Sequence, residues 1–117
     1  MNELMAHRLC DAENIEPGGI GSASLPDGRR VAIYNVDGTL YATDDLCTHG
    51  HASLSDDGTL EGCIIECGLH LGAFDVRTGA PVATPCTKAL QTYPIQIRDG
   101  AVWLDVPATS QASRAGT

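Results

Sequence analysis

Two short segments limit what this chain can fold into: "CTHGH", which begins at Cys47 and carries His49 and His51, and "CGLH", which runs from Cys67 to His70. Seventeen residues separate His49 from Cys67, so the pattern is Cys-x-His followed by Cys-x2-His. Three chemistries use such side chains: a thiol nucleophile beside a base, a tetrahedral zinc site, and an iron-sulfur site. A Cys-His dyad employs one thiol, one base and an oxyanion hole, and it gives the second pair no role. Zinc fingers pair cysteine with cysteine and histidine with histidine, the latter on a helix, whereas here each segment carries one of each. A two-iron rhomb has its metals at opposite ends, so each segment can offer its cysteine to one iron and its histidine to the other. The alternating order fits that geometry. A structural Cys2His2 zinc module stands as the alternative.

Asp-Gly dipeptides at Asp27-Gly28, Asp37-Gly38, Asp57-Gly58 and Asp99-Gly100 supply the positive φ angles of tight turns and predict a series of hairpins. RVAIYNV (30–36) and TLYAT (39–43) are rich in β-branched and aromatic residues and read as a hairpin that ends just before Cys47. Tyr93, Ile95 and Ile97 alternate with Gln96 and Arg98, and past the fourth turn Val102, Leu104 and Val106 alternate with Trp103 and Asp105. That pattern predicts a strand pair with one face in the core. LEGCIIEC (60–67) and GAFDV (72–76) are further strand candidates, with a turn at Thr78-Gly79, while Thr43 to Cys47 can form a turn. No stretch of ten residues has a helical period, so the domain is predicted to be all-β. Both ligand-bearing segments fall on loops between short strands, where side chains from neighbouring tips can converge.

A length of 117 residues suits one domain, placed at 1–106, with the polar segment PATSQASRAGT (107–117) as a disordered tail. No apolar run reaches the length of a membrane span, and the start of the chain lacks the pattern of a secretory leader, so a cytoplasmic protein is expected. The net charge of −8 disfavours nucleic acid and anionic membrane surfaces as partners. Five cysteines, an odd number in a chain without an export signal, argue against a disulfide framework. Cys10, Cys63 and Cys86 have no neighbouring ligand in sequence and read as small apolar residues. His51 is assigned no ligand role, and His7 reads as a surface or strand residue.

From about Val31 to Val106 the chain resembles the Rieske proteins, and in particular the small Rieske ferredoxins of bacterial aromatic-ring-hydroxylating dioxygenases, such as the naphthalene, biphenyl, salicylate and anthranilate systems. The resemblance rests on LYATDDLCTHG, LEG, ECGLHLGAFDVRTG, Pro85 and YPIQI. It implies an antiparallel β-sandwich with a small cluster-binding subdomain of two loops, at about 44–86. It further implies one Rieske 2Fe-2S cluster per chain, with Cys47 and Cys67 on the buried iron and His49 and His70 on the outer, redox-active iron. HASLSDDGTLEG runs one residue longer at Asp56-Asp57 than in the most similar ferredoxins, and Gly68 stands where many relatives carry proline.

The resemblance implies a one-electron carrier without catalysis of its own. A flavin-dependent ferredoxin reductase using NAD(P)H supplies the electron, and the terminal oxygenase component receives it. The alternative within the same chemistry is a Rieske subunit bound tightly in another oxidoreductase; a monomer is expected otherwise. High-potential Rieske proteins carry a bridging cysteine in each loop and a serine and a tyrosine that donate to sulfur. Those places fall here at Ala52, Leu69, Gly72 and Phe74, which implies a potential at the low end of the class, roughly −150 mV. Pro85 matches a proline-bearing loop that covers the cluster, and Leu69 and Leu71 flank His70 as a small apolar rim or as cluster packing.

Overall fold

Strand β3 (Arg30–Val36) organises the molecule because both of its faces are buried. Period-two alternation sends Val31 and Ile33 to one side and Ala32 and Tyr34 to the other, and all four are fully buried. Val31 and Ile33 meet Leu104 and Ile95, whereas Ala32 and Tyr34 meet Ile65, Phe74 and both Cys47 and Cys67. The sheet holding β3 is therefore the middle layer of three. Each fully buried Val, Ile or Leu there contributes about 1.5–3 kcal/mol of transfer free energy.

The computed structural model describes residues 4–47, 53–68, 72–83 and 88–107. The middle sheet has the order β2 (Ile20–Ser24), β3, β4 (Thr39–Asp44) and β9 (Thr92–Tyr93), all antiparallel. One outer sheet has the order β1 (Leu4–Asp11), β11 (Ala101–Pro107) and β10 (Ile95–Arg98). The other is made of four strands in sequence order: β5 (Thr59–Glu61), β6 (Ile64–Glu66), β7 (Ala73–Asp75) and β8 (Pro81–Ala83). Pro94 sits between β9 and β10. Without an N–H it cannot continue a ladder, and at that residue the chain passes from the middle sheet to the outer one.

The all-β expectation holds: the helices among the described residues are a 3-10 turn at Ala12–Asn14 and the four-residue α1 (Leu54–Asp57). The hairpins at Asp37-Gly38 and Asp99-Gly100 form as expected, with φ of 51° and 94° in the first and 52° and 75° in the second. Asp27-Gly28 lies in a five-residue loop closed by Leu25 and Arg29, and Thr78-Gly79 turns the chain between β7 and β8.

Three sequence expectations are corrected. Asp57-Gly58 is not a hairpin turn: Asp57 ends α1, and the Gly58 N–H closes the helix on Leu54 O at 3.0 Å. LEGCIIEC is not one strand but a tight hairpin, with Gly62 and Cys63 turning between β5 and β6. Where a turn is expected in part of Thr43 to Cys47, Thr43 and Asp44 finish β4 and the chain bends at Asp45, whose N–H still bonds Arg30 O of the neighbouring strand. Ile97, placed on the core face by its alternation, is 51% exposed because it lies near the open tip of the β10–β11 hairpin. Sequence also gave no sign of β1, whose pairing with β11 is broken by a bulge between Arg8 and Cys10. Of the tail expected at 107–117, Pro107 instead ends β11 and pairs with Leu4, and 108–117 lie outside the described residues.

Candidate metal centre

The two cysteines of the Cys/His segments come together. Cys47 is 1% exposed and Cys67 is 0% exposed, and both belong to one buried cluster with Tyr34, Leu54, Ile65 and Phe74. They are not joined by a disulfide. Burial of two thiols among apolar side chains fits a metal–thiolate centre, because the metal supplies the positive charge that this setting lacks for a thiolate.

Each cysteine stands at the foot of a loop that backbone hydrogen bonds pinch shut. For the first loop, Leu46 bridges to Ser53 and the Leu54 N–H donates to Asp45 O at 2.7 Å. For the second, Glu66 pairs with Ala73 and the Cys67 N–H donates to Gly72 O at 2.7 Å. The remaining ligands expected from sequence, His49 and His70, belong to the stretches between these feet and lie outside the described residues, as do His51, Ala52, Leu69, Leu71, Pro85 and Cys86.

Asp45 braces the first loop, a role that sequence reasoning missed. Its carboxylate is 4% exposed, accepts the Ser53 hydroxyl at 2.6 Å and the Ser55 N–H at 2.8 Å, and faces Arg30 Nε at 3.9 Å. Arg30 also reaches Ser22 at 2.9 Å and Asp56 at 3.5 Å, which ties α1 to the middle sheet. Ser53 caps α1 by accepting the Asp56 N–H at 3.2 Å. The spacing of Ser53 and Asp56 is a sequence signature for a helix start and could have revealed α1. No comparable signal marks Asp45.

On the middle-sheet side, the Thr43 hydroxyl donates to Asp44 O at 2.8 Å, so the Tyr34 hydroxyl, 2.9 Å away, is the donor to Thr43 Oγ1. Burial pushes the Tyr34 phenol above its ordinary value. It remains neutral beside the thiols. Cys63 is half-buried at the edge of the same cluster, and Cys10 packs against the separate core around Ile33. Among the described residues no group of three or more His, Cys, Asp or Glu could hold a metal, so neither Cys10 nor Cys63 joins Cys47 and Cys67 in such a group. The apolar reading of those two fits their places.

Residues 6–94 match the family described as Rieske [2Fe-2S] domain. The chain is 45% identical over 100 residues to the ferredoxin component of the p-cumate 2,3-dioxygenase system of Pseudomonas putida, covering 86% of this chain and 85% of that one. Among solved structures, the ferredoxin of Sphingomonas yanoikuyae B1 superposes with a TM-score of 0.83 at 44% identity, over 88% of this chain and 100% of the other. A ferredoxin seen in complex with the oxygenase of carbazole 1,9a-dioxygenase superposes with a TM-score of 0.81 at 40% identity, over 87% of this chain and 94% of the other.

Proposed function

Because the chain belongs to the Rieske [2Fe-2S] domain family, we propose that Cys47, His49, Cys67 and His70 hold its single 2Fe-2S cluster and that the protein carries one electron at a time between two partners. The observation that carries this reading is the joint burial of Cys47 and Cys67 at the feet of two pinched loops. The bound cluster supplies reversible one-electron redox chemistry near a fixed potential.

The chain's own residues do the rest. Leu54, Ile65 and Phe74, each fully buried in one cluster with Cys47 and Cys67, would keep water from the thiolates that hold the group. Asp45 and the cap at Ser53 tie together the two feet of the first loop, one of them beside Cys47. Phe74 brings no hydroxyl to the buried cysteines, and fewer donors to sulfur favour a potential at the low end of the class.

By likeness to a ferredoxin component of a dioxygenase system and to a ferredoxin seen in complex with an oxygenase, the acceptor is the terminal oxygenase component of an aromatic-ring-hydroxylating dioxygenase system; the donor in this reading is a flavin-dependent NAD(P)H reductase, as the sequence resemblance implies. Catalysis belongs to the acceptor. The net charge of −8 favours basic protein patches and disfavours nucleic acid. Among the described residues no helix is long and apolar enough to cross a membrane. A cytoplasmic monomer making brief contacts suits a carrier that must bind and leave quickly.

The test is anaerobic purification, followed by iron, sulfide and zinc analysis and electron paramagnetic resonance before and after dithionite. Two irons per chain and a signal of low average g that appears only on reduction are expected. One zinc and no signal would overturn the reading in favour of a structural Cys2His2 module.

A further inference from the structure

The segment that leaves the first loop presses against the strand that enters the second, and two glycines make that contact possible. A Cβ at Gly68 would stand 2.2 Å from Asp57 O, and a Cβ at Gly58 would stand 2.6 Å from Leu54 O, 2.8 Å from Ile65 Cδ1 and 3.1 Å from Glu66 O. Neither glycine is there for a left-handed backbone: Gly58 has φ of −84°, and Gly68 is not among the glycines of positive φ. What both positions require is the missing side chain.

The two contacts interlock. Residues 57 and 58 close the first loop's helix, whose Leu54 is fully buried against Cys47 and Cys67, while residues 65 to 68 include Cys67 itself. The atom facing Gly68 is a backbone carbonyl, which cannot swing aside as a long side chain can. A methyl group at 68 would therefore push the second loop away from α1 or bend the last turn of α1. Because the Cys67 N–H is bonded to Gly72 O, a shift of the second loop's foot would carry Cys67 with it.

We propose that Gly68, seated on the Asp57 carbonyl, is a positioning residue of the metal centre: the backbone contact between 57–58 and 65–68 sets the separation of the two ligand loops. This rests on the reading that those loops hold the cluster. It joins two features that stand apart in the sequence, Asp57 at the end of α1 and the glycine after Cys67.

The test compares the metal-loaded parent with Gly68→Ala, Gly58→Ala and the control Thr59→Ala, whose position on the same connection is exposed. Metal per chain, the g values of the reduced state and the midpoint potential are measured, with far-UV circular dichroism as the check on folding. Gly68→Ala is expected to retain the parental dichroism, to lose at least half of its metal, and to show changed g values and a shifted midpoint. Gly58→Ala should change the same readouts, and Thr59→Ala should change none. Parental metal content, g values and midpoint in folded Gly68→Ala would overturn the proposal; if that variant does not fold, the same parental values in Gly58→Ala would overturn it. The identity of the metal in the parent decides the cluster reading separately, since the variant-to-parent ratio of metal can be read with iron or zinc.

Discussion

The Asp45 carboxylate accepts the Ser53 hydroxyl at 2.6 Å across the foot of the first loop, two residues before Cys47. It also accepts the Ser55 N–H at 2.8 Å, so one buried acid fixes both the loop and the start of α1. Asp45→Ala leaves the Ser55 N–H without its acceptor and Arg30 without its buried partner. The expected cost is about 2–3 kcal/mol of stability, together with lower iron per chain. Denaturant unfolding of the loaded protein and iron analysis check this, and Asp45→Asn, which keeps an acceptor, should fall between parent and alanine.

Phe74 is fully buried in the cluster that contains both Cys47 and Cys67. Phe74→Tyr adds a hydroxyl on that side of the centre. A donor to sulfur stabilises the added electron, so the midpoint should rise. A potentiometric titration against the parent measures the direction, and a lower or unchanged midpoint would count against low donor density as the cause of a low potential.

Tyr93 donates to Asp44 Oδ1 and receives Arg29 Nη1 at 3.1 Å. Burial, followed by the bond to Asp44, raises its phenol above the ordinary value of about 10. A raised folded-state value contributes stability that is fully present below the unfolded value and is lost as pH climbs through the folded one. Tyr93→Phe should therefore cost about 1 kcal/mol near neutral pH, discounted for partial exposure. The gap to the parent should narrow above about pH 10, which thermal unfolding across pH would reveal.

Leu104 is fully buried with Leu25 and Val31, in a core separate from the cysteine cluster. Leu104→Ala should cost about 2–5 kcal/mol of stability. Because this core lies on the other face of β3, the midpoint and the g values should stay parental. A shifted midpoint would show that the two faces of the middle sheet are mechanically coupled.

With a net charge of −8, encounter with a basic partner patch is steered by long-range attraction. Raising salt from about 0.01 M to about 0.15 M shortens the screening length from about 30 Å to about 8 Å, so electron transfer from a reductase should slow severalfold. Stopped-flow reduction at graded ionic strength measures this.

The strand hairpins were legible where local rules suffice. Asp37-Gly38 and Asp99-Gly100 form their turns because the residues themselves carry the required φ. Asp57-Gly58 carries the same letters and does something else, because Ser53 starts a helix upstream whose end falls at Gly58. β1 has no local signature of its own; it exists because β11 offers it an edge. Alternation placed Ile97 inside, yet the hairpin tip leaves it without a facing sheet.

The four Cys and His letters and their spacing raise the expectation of a two-loop metal centre, because ligand chemistry depends on residue type and short-range order, and of these four the structure describes Cys47 and Cys67, buried together. The sequence alone could not show that Cys47 and Cys67 share one buried cluster, that Asp45 locks the first loop, or that the Asp57 carbonyl occupies the space a side chain at 68 would need. Each of those depends on segments brought together from different sheets and loops. Packing between distant segments is set by the whole chain's burial, which no local pattern encodes.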